Sequence, residues 1–205
     1  MSFSAYANHV RNAALPHRRR VSALRSCVQL FRPLGFTVTL SFLGELAGPF
    51  ERDEAALLRA LDALAGCRAG WHAELHRYAE ARRTAKRRGQ RRPLPDEANP
   101  NRGPRCWYGA PRPAALHALK FWRLRRLPAL LVADDPVALE IDRIVMACIV
   151  ADGPLTPADR HGLAVAAETL RQRIHEGWNP DHELFDRTRK LLLVAHFIET
   201  ADISS

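Results

Sequence analysis

Apolar and polar positions along this 205-residue chain follow two rhythms. In residues 18–31, RRRVSALRSCVQLF, Val21, Leu24, Val28 and Phe31 recur every three or four positions with arginines between them, which predicts an amphipathic helix. Pro33 and Gly35 in RPLG then break the pattern. FTVTLSFL, residues 36–43, alternates Phe36, Val38, Leu40 and Phe42 with Thr37, Thr39 and Ser41. Period two with β-branched and aromatic residues predicts a half-buried strand there. The helical rhythm returns at about 53–65, where Leu57, Leu58, Leu61 and Leu64 make a stripe and Gly66 reads as a C-terminal cap. Another helix is expected at about 70–87, with Trp71, Leu75 and Tyr78 on its apolar side.

Residues 89–113 contain six prolines and three glycines in 25 positions, which excludes regular structure and predicts an exposed Arg/Pro-rich loop over about 82–113. AALHALKFWRLRRL after Pro113 reads as a short helix stopped by Pro128. ALLVADD, 129–135, is the best available partner for the first strand, which cannot satisfy its own backbone. Asp135-Pro136, Thr156-Pro157 and Asn179-Pro180 each open a helix, because the polar side chain accepts from free amides and proline sits where no amide hydrogen is needed. The first carries Val137, Ile141, Ile144, Val145 and Cys148, the second turns Leu163, Ala167, Leu170 and Ile174 inward, and the third runs through Leu184, Leu191, Leu192, Ala195 and Ile198. The expected fold is therefore α+β, predominantly α-helical. It has a minimal two-stranded sheet within a basic region 1–133, and a C-terminal three-helix unit over 134–205.

Charge adds to this picture. The formal net charge is +9, but residues 1–135 hold 24 Arg and Lys against 11 Asp and Glu, while residues 136–205 hold 7 against 11. A basic front and a mildly acidic back point to an anionic partner for the front, with the C-terminal helices left for contacts with other proteins. Nearly all the positive charge is arginine, the lysines being Lys86, Lys120 and Lys190. The clustering of the cations is thus more informative than their number. Cys27, Cys67, Cys106 and Cys148 are about forty residues apart, without the close spacing of a zinc site or the density of a disulfide scaffold. The N-terminus lacks an apolar signal core and no apolar run is long enough to span a bilayer, so a cytoplasmic location without membrane association is expected.

Candidate chemistry follows the cations. RRTAKRRGQRR, 82–92, supplies Arg82, Arg83, Lys86, Arg87, Arg88, Arg91 and Arg92. Downstream, Arg102 and Arg105 neighbour Trp107 and Tyr108, and Lys120, Arg123 and Arg126 share a helical face. Arg18, Arg19, Arg20 and Arg25 form a further group near the N-terminus. Guanidinium groups neutralise phosphates and aromatic faces stack on bases, so these residues predict a non-enzymatic nucleic-acid-binding protein, favouring RNA or single-stranded DNA, as in an accessory subunit of a nucleoprotein complex. An interaction module or inhibitor that recognises an acidic protein surface satisfies the same pattern. No cofactor or metal is expected. His72 and His76 are one helical turn apart, but Glu74 does not stand where a metalloprotease pattern needs it. A catalytic alternative rests on Arg189 and His196, two turns apart on the last helix. This pair resembles the Arg-x(4–6)-His motif of HEPN ribonucleases, with Lys190 following the arginine. The resemblance implies metal-independent RNA cleavage by Arg189 and His196.

Overall fold

The computed structural model describes residues 1–93, 99–100, 107–131, 134–176 and 182–202. The chain divides into two units, Met1–Gly109 and Ala110–Ser205.

The first unit contains α1 (Phe3–Arg11), α2 (His17–Leu30), α3 (Phe36–Ala47) and α4 (Glu54–Arg87). Helix α2 packs on the other three, while α1 and α3 each also pack on α4. Their shared core is built from Val10, Leu24, Val28, Phe42, Leu57, Leu61 and Leu64, all fully enclosed, and each such side chain contributes roughly 1.5–3 kcal/mol.

The expected sheet is not formed: every regular element among the described residues is helical. Residues 36–43 lie in α3, and the burial pattern shows why the alternation misled. Val38 and Phe42 are four apart, a spacing that puts them on one side of either a strand or a helix. The positions that discriminate are the others. A strand would bury Phe36 and Leu40, yet Phe36 is exposed and Leu40 half-buried, while Thr39, Leu43 and Ala47 are buried at helical spacing. The Thr39 hydroxyl also accepts from the Leu34 amide at 3.3 Å, tying the preceding turn to the helix. The second expected strand, 129–135, fails as well. Leu127–Leu130 is a turn of 3-10 helix, Asp135 is the cap of the following helix, and Val132 and Ala133 lie outside the described residues.

Helix α4 is a second departure, since it runs unbroken for 34 residues through the expected stop at Gly66. Asp53 caps its start by accepting from the Ala55 amide at 2.9 Å. A lone glycine costs about 1 kcal/mol in a helix, too little to end one whose first half is held by buried Ala56, Leu57, Ala60, Leu61, Leu64 and Cys67. At Gly70 the missing side chain serves packing instead: a Cβ there would meet the Cβ of Tyr108 at 2.6 Å.

The second unit contains α5 (Pro111–Arg125), the 3-10 turn, α6 (Pro136–Val150), α7 (Pro157–Glu176) and α8 (His182–Asp202). Helix α8 packs on α5, α6 and α7 and so forms the centre. Proline starts α6 and α7 at the residues expected; the expected start of α8 at Asn179-Pro180 lies outside the described residues. Asp135 is 6% exposed and accepts from the Val137 and Ala138 amides at the head of α6. Arg173 of α7 donates to both its oxygens, and Arg187 of α8 approaches to 3.5 Å. Burial alone would raise the Asp135 pKa, but the Arg173 hydrogen bonds and charge prevail and hold it below the ordinary carboxylate range. Asp202 closes the other end, accepting from the Leu155 amide at 2.8 Å and from Arg160 Nε at 2.6 Å. Among the described residues no helix is long and apolar enough to cross a membrane.

Candidate nucleic-acid interface

Helix α4 ends where its sequence turns strongly basic, and the geometry of that end organises the charge. Gly89 has φ of +90°, the left-handed conformation that glycine adopts without steric cost. Its amide bonds to the Lys86 carbonyl at 3.1 Å, and the Gln90 amide bonds to the Ala85 carbonyl at 3.0 Å. These two bonds are the Schellman arrangement that closes a helix and reverses the chain. Arg82, only 8% exposed, then donates to the carbonyls of Gln90 and Arg91 at 3.2 and 3.3 Å. The returning strand of chain is thereby stapled against the last turn.

The remaining cations of the run point outward. Arg83, Lys86, Arg87, Arg88, Arg91 and Arg92 are all exposed, and no described carboxylate lies in ion-pair range of any of them. Successive helical residues turn by about 100°, so Arg83 and Arg87 share one face while Lys86 and Arg88 flank it on either side. Like charges one turn apart repel by about 0.2–0.5 kcal/mol per pair, and a bound polyanion relieves that repulsion. The cations in the last turn also face the negative end of the helix dipole, which favours them there.

Elsewhere the arginines are largely committed. Arg20 is 3% exposed, donating to the Val10 carbonyl at 2.7 Å and pairing with Glu54 at 2.8 Å, so it is a core brace; its neighbours Arg18 and Arg19 are exposed. Arg25 pairs with Glu51 at 2.7 Å. In the second unit Arg123 pairs with Asp142 at 3.0 Å, Arg143 with Asp159 at 2.8 Å, and the Arg126 guanidinium lies 5.4 Å from the centre of the Trp122 ring. Lys120 is exposed. The sum reflects this division: residues 1–109 carry 19 Arg and Lys against 9 Asp and Glu, a net of +10, and residues 110–205 carry 12 against 13, a net of −1.

The aromatic side chains are placed differently from the basic ones. Trp107 is 3% exposed and packs edge-on to Phe42, with ring centres 4.9 Å apart, so its ring belongs to the core. Tyr108 is half-buried against Gly70, and its amide donates to the Cys67 sulfur at 3.4 Å. Arg102 and Arg105 lie outside the described residues.

Arg189 and His196 both lie on α8, where seven residues of helical rise separate them by about 10 Å along the axis. Arg189 is exposed, with its guanidinium 5.7 Å from the centre of the Phe185 ring. His196 is half-buried, Nδ1 being 3.9 Å from Glu199 Oε2, and burial pushes its pKa below the usual imidazole value. Burial pushes Glu199 the opposite way, against the opposing charge of Arg171. Asp134 is exposed, whereas Asp135 is occupied as cap and ion-pair partner. Nothing in the bare sequence separated Arg20 and Arg82 from the arginines beside them; only burial does. Comparison with protein-family models, with curated proteins and with solved structures finds no match to this chain, and the reading of the basic helix end rests on its own geometry.

Proposed function

We propose that this protein binds nucleic acid through its phosphate backbone, without cleaving it, using the basic end of α4. The observation that carries the reading is the capped helix end itself, which fixes six exposed cations that have no described carboxylate partner. With Trp107 held in the core, base stacking contributes little and recognition falls to charge. Such contacts position a strand without reading its sequence. The ligand class is therefore any flexible or duplex polyphosphate, RNA and single-stranded DNA included.

The test is the salt dependence of binding to a labelled 20-nucleotide oligomer. Six phosphate contacts give a slope of log K against log[salt] of about −4 for a single strand and about −5 for a duplex. Replacing Arg87, Arg88, Arg91 and Arg92 with glutamine leaves two of the six cations, and the single-strand slope should shrink to roughly −1.5. The oligomer should run intact on a gel afterwards. A slope unchanged by the four substitutions would remove the helix end as the binding site.

A further inference from the structure

A groove of about 600 Å³ runs between α1 and α4, on the part of the first unit away from the basic end of α4. Its floor is Phe3 and Ala7 from α1 with Ala65, Ala69 and Ala73 from α4. The three α4 alanines are spaced by four, so they make one row of methyl groups along the helix. Ala69 and Ala73 are exposed, so no described residue covers this row. A second helix can approach such a row at about 8 Å between axes, the close end of the usual range.

The margins of the groove are polar, and their two charged members, Arg11 and Arg68, are both cations. Arg68 lies with its guanidinium 4.7 Å from the centre of the Phe3 ring, and Arg11 stands opposite, paired with Asp62 at 3.0 Å yet half-exposed. His72 and His76 line the same side of α4. At 100° per residue, the face bearing Ala69, Ala73 and His76 continues through Glu80 to Arg83 and Arg87. From Ala65 to Arg87 that face is about 33 Å long, apolar at one end and basic at the other.

We propose that this groove docks an amphipathic, acidic helix of a partner protein. Its apolar stripe of about three turns would lie over the alanine row, with carboxylates facing Arg68 and, at the far end, Arg83 and Arg87. A helix laid in a groove is a recurrent mode of recognition, and the charge excess along the margin selects the sign of the partner. A nucleic-acid strand fits this floor poorly, since the alanine methyl groups offer nothing to stack on and the buried Phe3 ring lies beneath the Arg68 guanidinium. The inference does not depend on phosphate binding by the helix end, although Arg83 and Arg87 lie at the meeting point of the two sites.

The experiment uses the full chain and two labelled synthetic helices of about twenty-two residues, long enough to span the face of about 33 Å. Both carry leucine on one face; one carries glutamate elsewhere and the other lysine. Fluorescence anisotropy at about 0.15 M salt should show the acidic helix binding with a Kd of tens of micromolar and the basic one not binding. Filling the groove with Ala69→Leu and Ala73→Leu should weaken the acidic helix about tenfold or more, because both sites are surface positions that leucine occupies without unfolding a helix. Arg68→Glu should do the same. Arg88→Gln, Arg91→Gln and Arg92→Gln, which cripple phosphate binding, should change it by less than about threefold. The inference fails if the acidic helix does not bind, or if it binds the filled groove as tightly as the original. It also fails if a single-stranded oligonucleotide, rather than the peptide, perturbs the amide resonances of Phe3 and Ala7.

Discussion

A guanidinium enclosed beside a carbonyl is held by hydrogen bonds that water cannot replace, and Arg20 is in that position while Arg18 and Arg19 are in solvent. Truncating Arg20 to alanine strands the Val10 carbonyl and removes the stem that packs around it. The cost should be about 2 kcal/mol in urea unfolding. The same change at Arg18 or Arg19 should stay within about 0.5 kcal/mol. Three consecutive arginines are identical as letters, so this division was illegible in the sequence: helical spacing assigned a face to the group, not a depth to each member. Arg82 repeats the lesson, since it stands first in the basic run yet is the residue that pins the turn.

At the scale of the element, the glycines of two helices make opposed predictions. Alanine at Gly70 would drive its Cβ to 2.6 Å from Tyr108 Cβ and 2.9 Å from Cγ, the base of that side chain, which has no freedom to move aside. The expected result is a net loss of about 1–2 kcal/mol, with a change in Trp107 emission as the adjacent segment shifts. Alanine at Gly162 in α7 meets only Glu140 Oε1 at 2.6 Å, the far end of a flexible chain. There the better helix propensity should prevail, and stability should hold or rise by up to about 1 kcal/mol. Urea midpoints of the two variants check both signs. What sequence revealed at this scale depended on punctuation. Prolines fixed the starts of α6 and α7, because proline at a first turn has one outcome. Alternation in 36–43 had two, since Val38 and Phe42 suit a strand or a helix and only tertiary packing of Thr39, Leu43 and Ala47 decides between them. No element was expected over residues 3–11, although Phe3, Ala7 and Val10 stand at helical spacing and are the residues that α1 buries. The basic helix end was legible as composition, but its cap and its staple were not.

Across the whole molecule, ionisable groups divide as the two units do. The lowered aspartates Asp135, Asp159 and Asp202 all belong to residues 110–205, where burial raises Glu199: hydrogen bonds lead at Asp159 and Asp202, and at Asp135 the Arg173 contacts outweigh burial. A depressed folded-state pKa contributes stability above the unfolded value, about 3.9 for aspartate, that is lost as pH falls through the folded value. His196 is depressed by burial, so its share is present above about pH 6.5 and lost below it. Protection factors for amide exchange in residues 136–202 should therefore fall in two stages, first below about pH 6.5 and again below about pH 4. His196→Gln should abolish the first stage and leave the second. In residues 1–109, by contrast, the surplus of +10 is concentrated by a turn. Gly89 bears no side chain, yet its left-handed backbone turns the chain back onto the last turn of α4, where Arg82 holds the Gln90 and Arg91 carbonyls. The strength of the local field is thus governed by an uncharged position. Replacing that one residue would dilute the potential without removing a single proton or cation, so a survey that mutated only arginines would overlook the residue that aims them.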